Sequence, residues 1–176
     1  MVQLREKTWE SGRLLPMAER LRARCRAANV TFIVNDRVDL ALVLDADGVH
    51  LGQDDLPAQR ARPLLKPAMI LGVSTHSVEQ ARAARDAGAD YVAIGSMFPT
   101  GSKAGFRLVG PALIRAVRAE IAAPLIGIGG ITPDNVAEVI RAGADGVAVI
   151  AAVGAAPDPG AATTTFLQAI AAARIG

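Results

Sequence analysis

The chain has 176 residues, 51% of them hydrophobic, with 19 Lys and Arg against 17 Asp and Glu for a net charge of +2. That length supports one domain, residues 1–176, with a substantial core, while the near-neutral charge and 3% aromatic content argue against a nucleic-acid partner. No apolar run approaches the ~20 residues of a membrane helix, the opening Met1-Val2-Gln3-Leu4-Arg5 lacks the order of a secretory signal, and the lone Cys25 forms no internal disulfide, which points to a reducing cytoplasm.

Seven short apolar segments read as strands, at 2–5, 31–34, 48–51, 69–73, 91–95, 125–128 and 146–150. They are continuous apolar runs rather than alternating ones, as expected of parallel strands buried on both faces. Helices fall between them. Ser77 with Gln80 three residues on reads as a capping box opening a helix over 78–87. Thr132-Pro133-Asp134-Asn135 reads as the start of another, with Pro133 in its first turn, and Gly88 and Gly143 read as left-handed helix stops. Ala87-Gly88-Ala89-Asp90-Tyr91-Val92 echoes Ala142-Gly143-Ala144-Asp145-Gly146-Val147, and Asp45-Ala46-Asp47-Gly48-Val49 is a weaker third copy. Repeated strand–helix units build a parallel sheet, either a barrel of eight such units or an open doubly wound sheet. In a barrel the chemistry sits at the carboxyl ends of the strands.

Polar residues gather at those ends. Gln3, Arg5 and Lys7 alternate along the first strand and share one side. Two cations and an amide there repel one another unless an anion joins them, and a phosphate or diphosphate would. Lys7 and Lys103 are two of only three lysines, the third being Lys66. Asn35-Asp36 closes the second strand and Gly52-Gln53-Asp54-Asp55 the third, so two neighbouring strand ends deliver carboxylates to one rim. Carboxylates from two loops, completed by substrate phosphate oxygens, are how Mg²⁺ is usually held. Ser74 ends the fourth strand, and His76 follows as either an acid–base group or a cap; His50 lies mid-strand and reads as a core histidine. A polar loop after Gly95 carries Thr100, Ser102 and Lys103, and Gly127-Ile128-Gly129-Gly130 lets backbone N–H groups approach a phosphate.

In order along nearly the whole chain, these motifs resemble the thiamine phosphate synthase family: Gln3-x-Arg5-x-Lys7, Asn35-Asp36-Arg37-Val38-Asp39, Asp47-Gly48-Val49-His50-Leu51-Gly52-Gln53-Asp54-Asp55, Gly72-Val73-Ser74, Phe98-Pro99-Thr100-x-Ser102-Lys103 and Gly127-Ile128-Gly129-Gly130-Ile131. The resemblance implies an α/β fold, a TIM (β/α)8-type barrel, here with seven βα units. It implies a cytoplasmic transferase of thiamine biosynthesis that joins a pyrimidine diphosphate to a thiazole phosphate. By the same resemblance Gln3 and Thr100 hold the pyrimidine, with Ser102 beside them. Arg5, Lys7, Asn35, Ser74 and Lys103 hold the diphosphate, and Arg5, Lys7, Ser74 and Lys103 are the catalytic set. Asp36 and Asp55 hold Mg²⁺, the one cofactor, and Gly130 with the backbone at Ile150 and Ala151 holds the thiazole phosphate. The loop after Gly95 is the candidate for excluding water.

The chain departs from the family in three places. The family's first strand and helix are absent from this sequence, which would expose strand edges and argues for a homo-oligomer. Ala151 stands where a serine is frequent, and Ser102 where a threonine is common. Three other readings stand beside the synthase. A thiazole tautomerase-like enzyme would use His76 and need no metal carboxylates, a phosphate-ligand binder would not turn over, and a phosphosugar enzyme would need a proton-abstracting lysine or glutamate that is not evident.

Overall fold

The computed structural model of the chain describes residues 1–100 and 108–175. They form two compact units, Met1–Val73 with Asp86–Asp90, and Ser74–Arg85 with the residues from Tyr91 onward.

The first unit contains β1 (Val2–Leu4), β2 (Phe32–Asn35), β3 (Gly48–Leu51) and the start of β4 (Ile70–Thr75). Its strands are parallel and pair in chain order, with Leu4 beside Val34, Asn35 beside His50, and Leu51 beside Val73. Phe32, Ile33, Val34, Val49, Leu51 and Leu71 are buried, so both faces of the sheet are covered and the apolar runs have their physical reason. Helix α1 (Ser11–Ala27) turns Leu14, Ala18 and Cys25 inward at helical spacing. Helix α2 (Val38–Val43) buries Val38, Leu40 and Ala41. A short α3 (Ala58–Ala61) runs into a 3-10 turn at Arg62–Leu64.

The second unit holds β5 (Tyr91–Gly95), β6 (Leu125–Ile128) and β7 (Gly146–Ala148), again parallel and in order. Its helices are α4 (Val78–Asp86), α5 (Pro111–Arg118), α6 (Val136–Arg141), α7 (Ala151–Gly154) and α8 (Pro159–Ile175).

The internal repeat proves to be a tie at the amino ends of the strands. Asp47, Asp90 and Asp145 each donate a backbone N–H to the carbonyl of a residue in an earlier strand, at 3.0, 2.8 and 2.8 Å, to Phe32, Leu71 and Leu125. Each carboxylate then accepts the N–H of that same residue at 2.7 Å. Arg62 covers Asp90 and Arg118 covers Asp145; in the first copy Arg22 and Lys66 engage Asp45 instead. A buried strand-end N–H therefore has an acceptor in all three copies, at the end of the strands opposite the polar motifs.

Among the described residues seven strands form where seven were expected, each displaced by at most two residues at either end. One helix start differs, and one cap is built differently at a start that falls where expected, Val78. The helix expected from Thr132 begins at Val136; residues 133–135 form a turn ahead of it, in which the Asn135 side chain accepts the Thr132 N–H at 2.9 Å. Ser77 Oγ accepts the Gln80 N–H at 3.2 Å, as a cap should, but Gln80 Oε1 reaches the His76 N–H at 2.7 Å, one residue before a reciprocal box. Gly88 and Gly143 adopt φ of 80° and 105°, the left-handed stops expected of them. Among the described residues no helix is long and apolar enough to cross a membrane.

Candidate functional site

β1 ends at Leu4, which is buried, with Gln3 and Arg5 exposed on either side of it. Arg5 and Lys7 therefore lie just past the strand rather than within it. The Glu6 carboxylate folds this segment by accepting the Thr8 N–H and hydroxyl, both at 2.6 Å, and the Trp9 N–H at 3.3 Å. Arg13 lies over the Trp9 ring at 3.9 Å. The bend carries Lys7 to Asp36, Nζ to Oδ2 at 2.7 Å. The anion that Lys7 meets is thus the chain's own aspartate.

Asp36 sits at the end of β2 with φ of 64°. Its N–H donates to the His50 carbonyl and the Arg37 N–H to the Asn35 carbonyl, both at 2.8 Å, closing a three-residue turn around it. A residue with a side chain costs about 1–2 kcal/mol in this region, and Asp and Asn bear it best. Such strain gathers at functional positions. The turn is braced by Arg37, whose guanidinium binds Asp39 at 2.5 and 2.9 Å and the Ser11 hydroxyl at 2.9 Å. Sequence reasoning gave Arg37 and Ser11 no role; the charge alternation of Asp36-Arg37-Val38-Asp39 was the available signal.

Asp55 meets Asp36 through a side-chain hydrogen bond. Its Oδ2 also accepts the Gly52 N–H at 2.6 Å. The two carboxyls are pushed apart in acidity. Burial raises Asp55, and the hydrogen bond and negative charge of Asp36 raise it further, against a smaller opposing pull from Gly52 and Lys7. Burial also works to raise Asp36, but the Lys7 hydrogen bond, the Asp55 hydrogen bond, and the charges of Lys7 and Arg5 outweigh it and hold Asp36 below the ordinary carboxylate range. Asp55 is accordingly the less acidic partner of the pair, the one that takes up a proton first as pH falls.

A paired carboxylate of this kind is neutralised by a shared proton or by a divalent cation. Among the described residues no cluster of three or more His, Cys, Asp or Glu forms a metal cage. Mg²⁺ does not need one, since one or two carboxylates suffice when substrate phosphates and water complete the shell. The donor set of Asp36 and Asp55 fits that ion. Beside it lies an open hollow of about 410 Å³, walled by the Asp36–Asp39 turn and by Leu42, Leu56 and Leu64.

In the second unit, Thr75 is buried and its hydroxyl donates to the Ala93 carbonyl at 3.2 Å. Ser74 precedes it in β4. The His76 ring places Nδ1 2.5 Å from the Gly95 carbonyl, which commits that nitrogen as a donor. After β5 the chain lies along the end of β6, the Met97 N–H on the Ile128 carbonyl and the Phe98 N–H on that of Gly129, both at 3.0 Å. Gly130 has φ of 65°, and a Cβ there would come within 2.5 Å of the Pro99 carbonyl. The segment that bears Thr100 is thus seated on the Gly129–Gly130 turn, and two motifs far apart in sequence are brought together. Ile150 is exposed and Ala151 opens the short α7. Ser102 and Lys103 lie outside the described residues.

The thiamine monophosphate synthase family matches residues 1–153. A thiamine-phosphate synthase of Moorella thermoacetica is 50% identical over 175 residues, which cover 98% of this chain and 83% of that protein. One of Methanospirillum hungatei is 48% identical over 167 residues, 94% of this chain and 81% of its own. Among solved structures, the thiamine phosphate pyrophosphorylase of Pyrococcus furiosus superposes with a TM-score of 0.90 at 38% identity, covering 97% of this chain and 82% of that one. The fold and the homology define a transferase on a TIM-barrel-like α/β scaffold. The chain belongs to the thiamine monophosphate synthase family.

Proposed function

We propose that this chain condenses hydroxymethylpyrimidine diphosphate with a thiazole phosphate at a Mg²⁺-dependent site, forming thiamine phosphate and diphosphate. The observation that carries the site assignment is the cluster of Lys7, Asp36 and Asp55 past the ends of β1 to β3, with Arg5 charged beside it.

The chemistry asks little acid–base work of the protein. The bond between the pyrimidine methylene carbon and the diphosphate oxygen breaks, and both electrons leave with diphosphate. The amino-pyrimidine ring stabilises the resulting cation, and the thiazole nitrogen lone pair forms the new C–N bond. No proton need move. The protein has to align the two substrates and neutralise the leaving group. Arg5 and Lys7 supply positive charge to the diphosphate, with Asn35, Ser74 and Lys103 as further donors. Lys7, which lies on Asp36, gains a phosphate oxygen to turn to when the diphosphate enters. Asp36 and Asp55 would hold Mg²⁺, which adds charge on the departing oxygens. Gln3, Thr100 and Ser102 orient the pyrimidine, and Gly130 with the backbone at Ile150 and Ala151 holds the thiazole phosphate. The partners are small molecules, and the lone Cys25 suits a cytoplasmic setting.

Incubating the chain with both substrates and Mg²⁺ tests this. Thiamine phosphate and diphosphate should form in equal amounts; binding of both substrates without product would leave a phosphate-ligand binder and refute the proposal.

A further inference from the structure

We infer that Gly52 is a positioning residue for the Asp55 carboxylate, and that its hydrogen in place of a side chain is what allows Asp55 to serve a divalent cation. The inference rests on the metal reading above. Asp55 Oδ2 lies on the Gly52 N–H at 2.6 Å, a bond that fixes one oxygen three residues along the same loop. A Cβ built on Gly52 would lie 2.9 Å from that oxygen and 3.9 Å from the Asp55 Cγ, and among the described residues would meet no other atom within 4 Å. Gly52 is also outside the left-handed region that demands glycine, in contrast to Gly88 or Gly130. Backbone conformation therefore does not require glycine here. The one thing a methyl group would disturb is the carboxyl. Outer contacts of this kind orient metal-ligating carboxylates, and losing one typically costs 10–100-fold in metal affinity.

The experiment compares Gly52→Ala with the parent and with Gly12→Ala, whose Cβ would meet nothing within 4 Å. Mn²⁺ binding in the presence of inorganic diphosphate is read from the electron paramagnetic resonance of free Mn²⁺, and each variant is melted. Gly52→Ala should raise the Mn²⁺ half-saturation about tenfold or more with a melting point near the parent's, and Gly12→Ala should leave the half-saturation unchanged. Unaltered Mn²⁺ affinity in a folded Gly52→Ala chain overturns the inference. Should Gly52→Ala unfold, the pair Asp55→Ala and Gly52→Ala/Asp55→Ala decides. With the only clashing side chain removed, the two must melt alike, and a further loss in the double variant overturns the inference. A parent that binds no Mn²⁺ at all refutes the metal reading itself, and the inference with it.

Discussion

Substituting Asp36 should separate two properties that the structure places on one residue. The side chain holds Lys7 at 2.7 Å, with Lys7 49% and Asp36 19% exposed, and a partly exposed ion pair of this kind contributes at most about 1 kcal/mol. The backbone sits at φ of 64°, where alanine costs about 1–2 kcal/mol and asparagine much less. Asp36→Ala should therefore lose about 2 kcal/mol and Asp36→Asn about 1 kcal/mol or less, because removing the charge also relieves the repulsion felt by Asp55. At about 2–4 °C per kcal/mol for a chain of this size, the melting point falls by about 4–8 °C in the first and under about 4 °C in the second. Mg²⁺-dependent turnover should fall by more than about 100-fold in both, since a direct ligand is worth more than an outer partner. Thermal melts and a product assay across a Mg²⁺ series read both quantities. Asp36→Asn with parental turnover refutes the metal assignment; equal melting points for the two variants refute the argument from backbone strain.

Asp55→Asn should stabilise the chain near pH 7. The folded carboxyl is raised, so the stability it gives is complete at acid pH and declines as pH climbs through its folded pKa; the variant's advantage in urea unfolding should vanish as pH drops below the ordinary carboxylate range. Asp36 has the opposite sign. Its folded pKa is lowered, so its contribution is present above the ordinary range and lost as pH falls through the folded value. A Lys7→Met variant should therefore show weaker acid-side loss than the parent. Arg5→Ala should weaken binding of the pyrimidine diphosphate about tenfold or more, the value of a charge-assisted bond, with little change for the thiazole phosphate; equal losses in calorimetric titrations would contradict its role. Asp145→Ala strands the N–H of Leu125, which is fully buried and is held at 2.7 Å, and should cost about 2 kcal/mol, lowering the melting point by about 4–8 °C while leaving substrate affinity unchanged.

Much of this was legible in the sequence, for identifiable reasons. Parallel strands buried on both faces must be apolar throughout, so segments such as 91–95 stand out from the polar helices around them. The repeat of Ala-Gly-Ala-Asp was visible, but its purpose was not, because a carboxylate that accepts a strand-end N–H leaves no pattern beyond the aspartate itself. Carboxylates at two neighbouring strand ends could be nominated from position, but Asp55 was separated from Asp54 only by the family resemblance. The division of Asp36 and Asp55 into a more and a less acidic partner depends on burial, on Lys7 and on their contact with each other, none of which spacing encodes. The positive φ at Asp36 was equally hidden, since Asn-Asp after a strand suits an ordinary turn as well. Thr132-Pro133 marked the turn but not its length, since residues 133–135 form a turn before the helix begins at Val136.

Calorimetric titration of the full chain with inorganic diphosphate, with and without Mg²⁺, bears most directly on the shared cation–carboxylate site. The account predicts at least about tenfold tighter diphosphate binding with Mg²⁺, reciprocal tightening of Mg²⁺ by diphosphate as linkage requires, and loss of that gain in Asp36→Asn. Equal diphosphate affinity with and without the ion, in a chain that binds diphosphate, would contradict it.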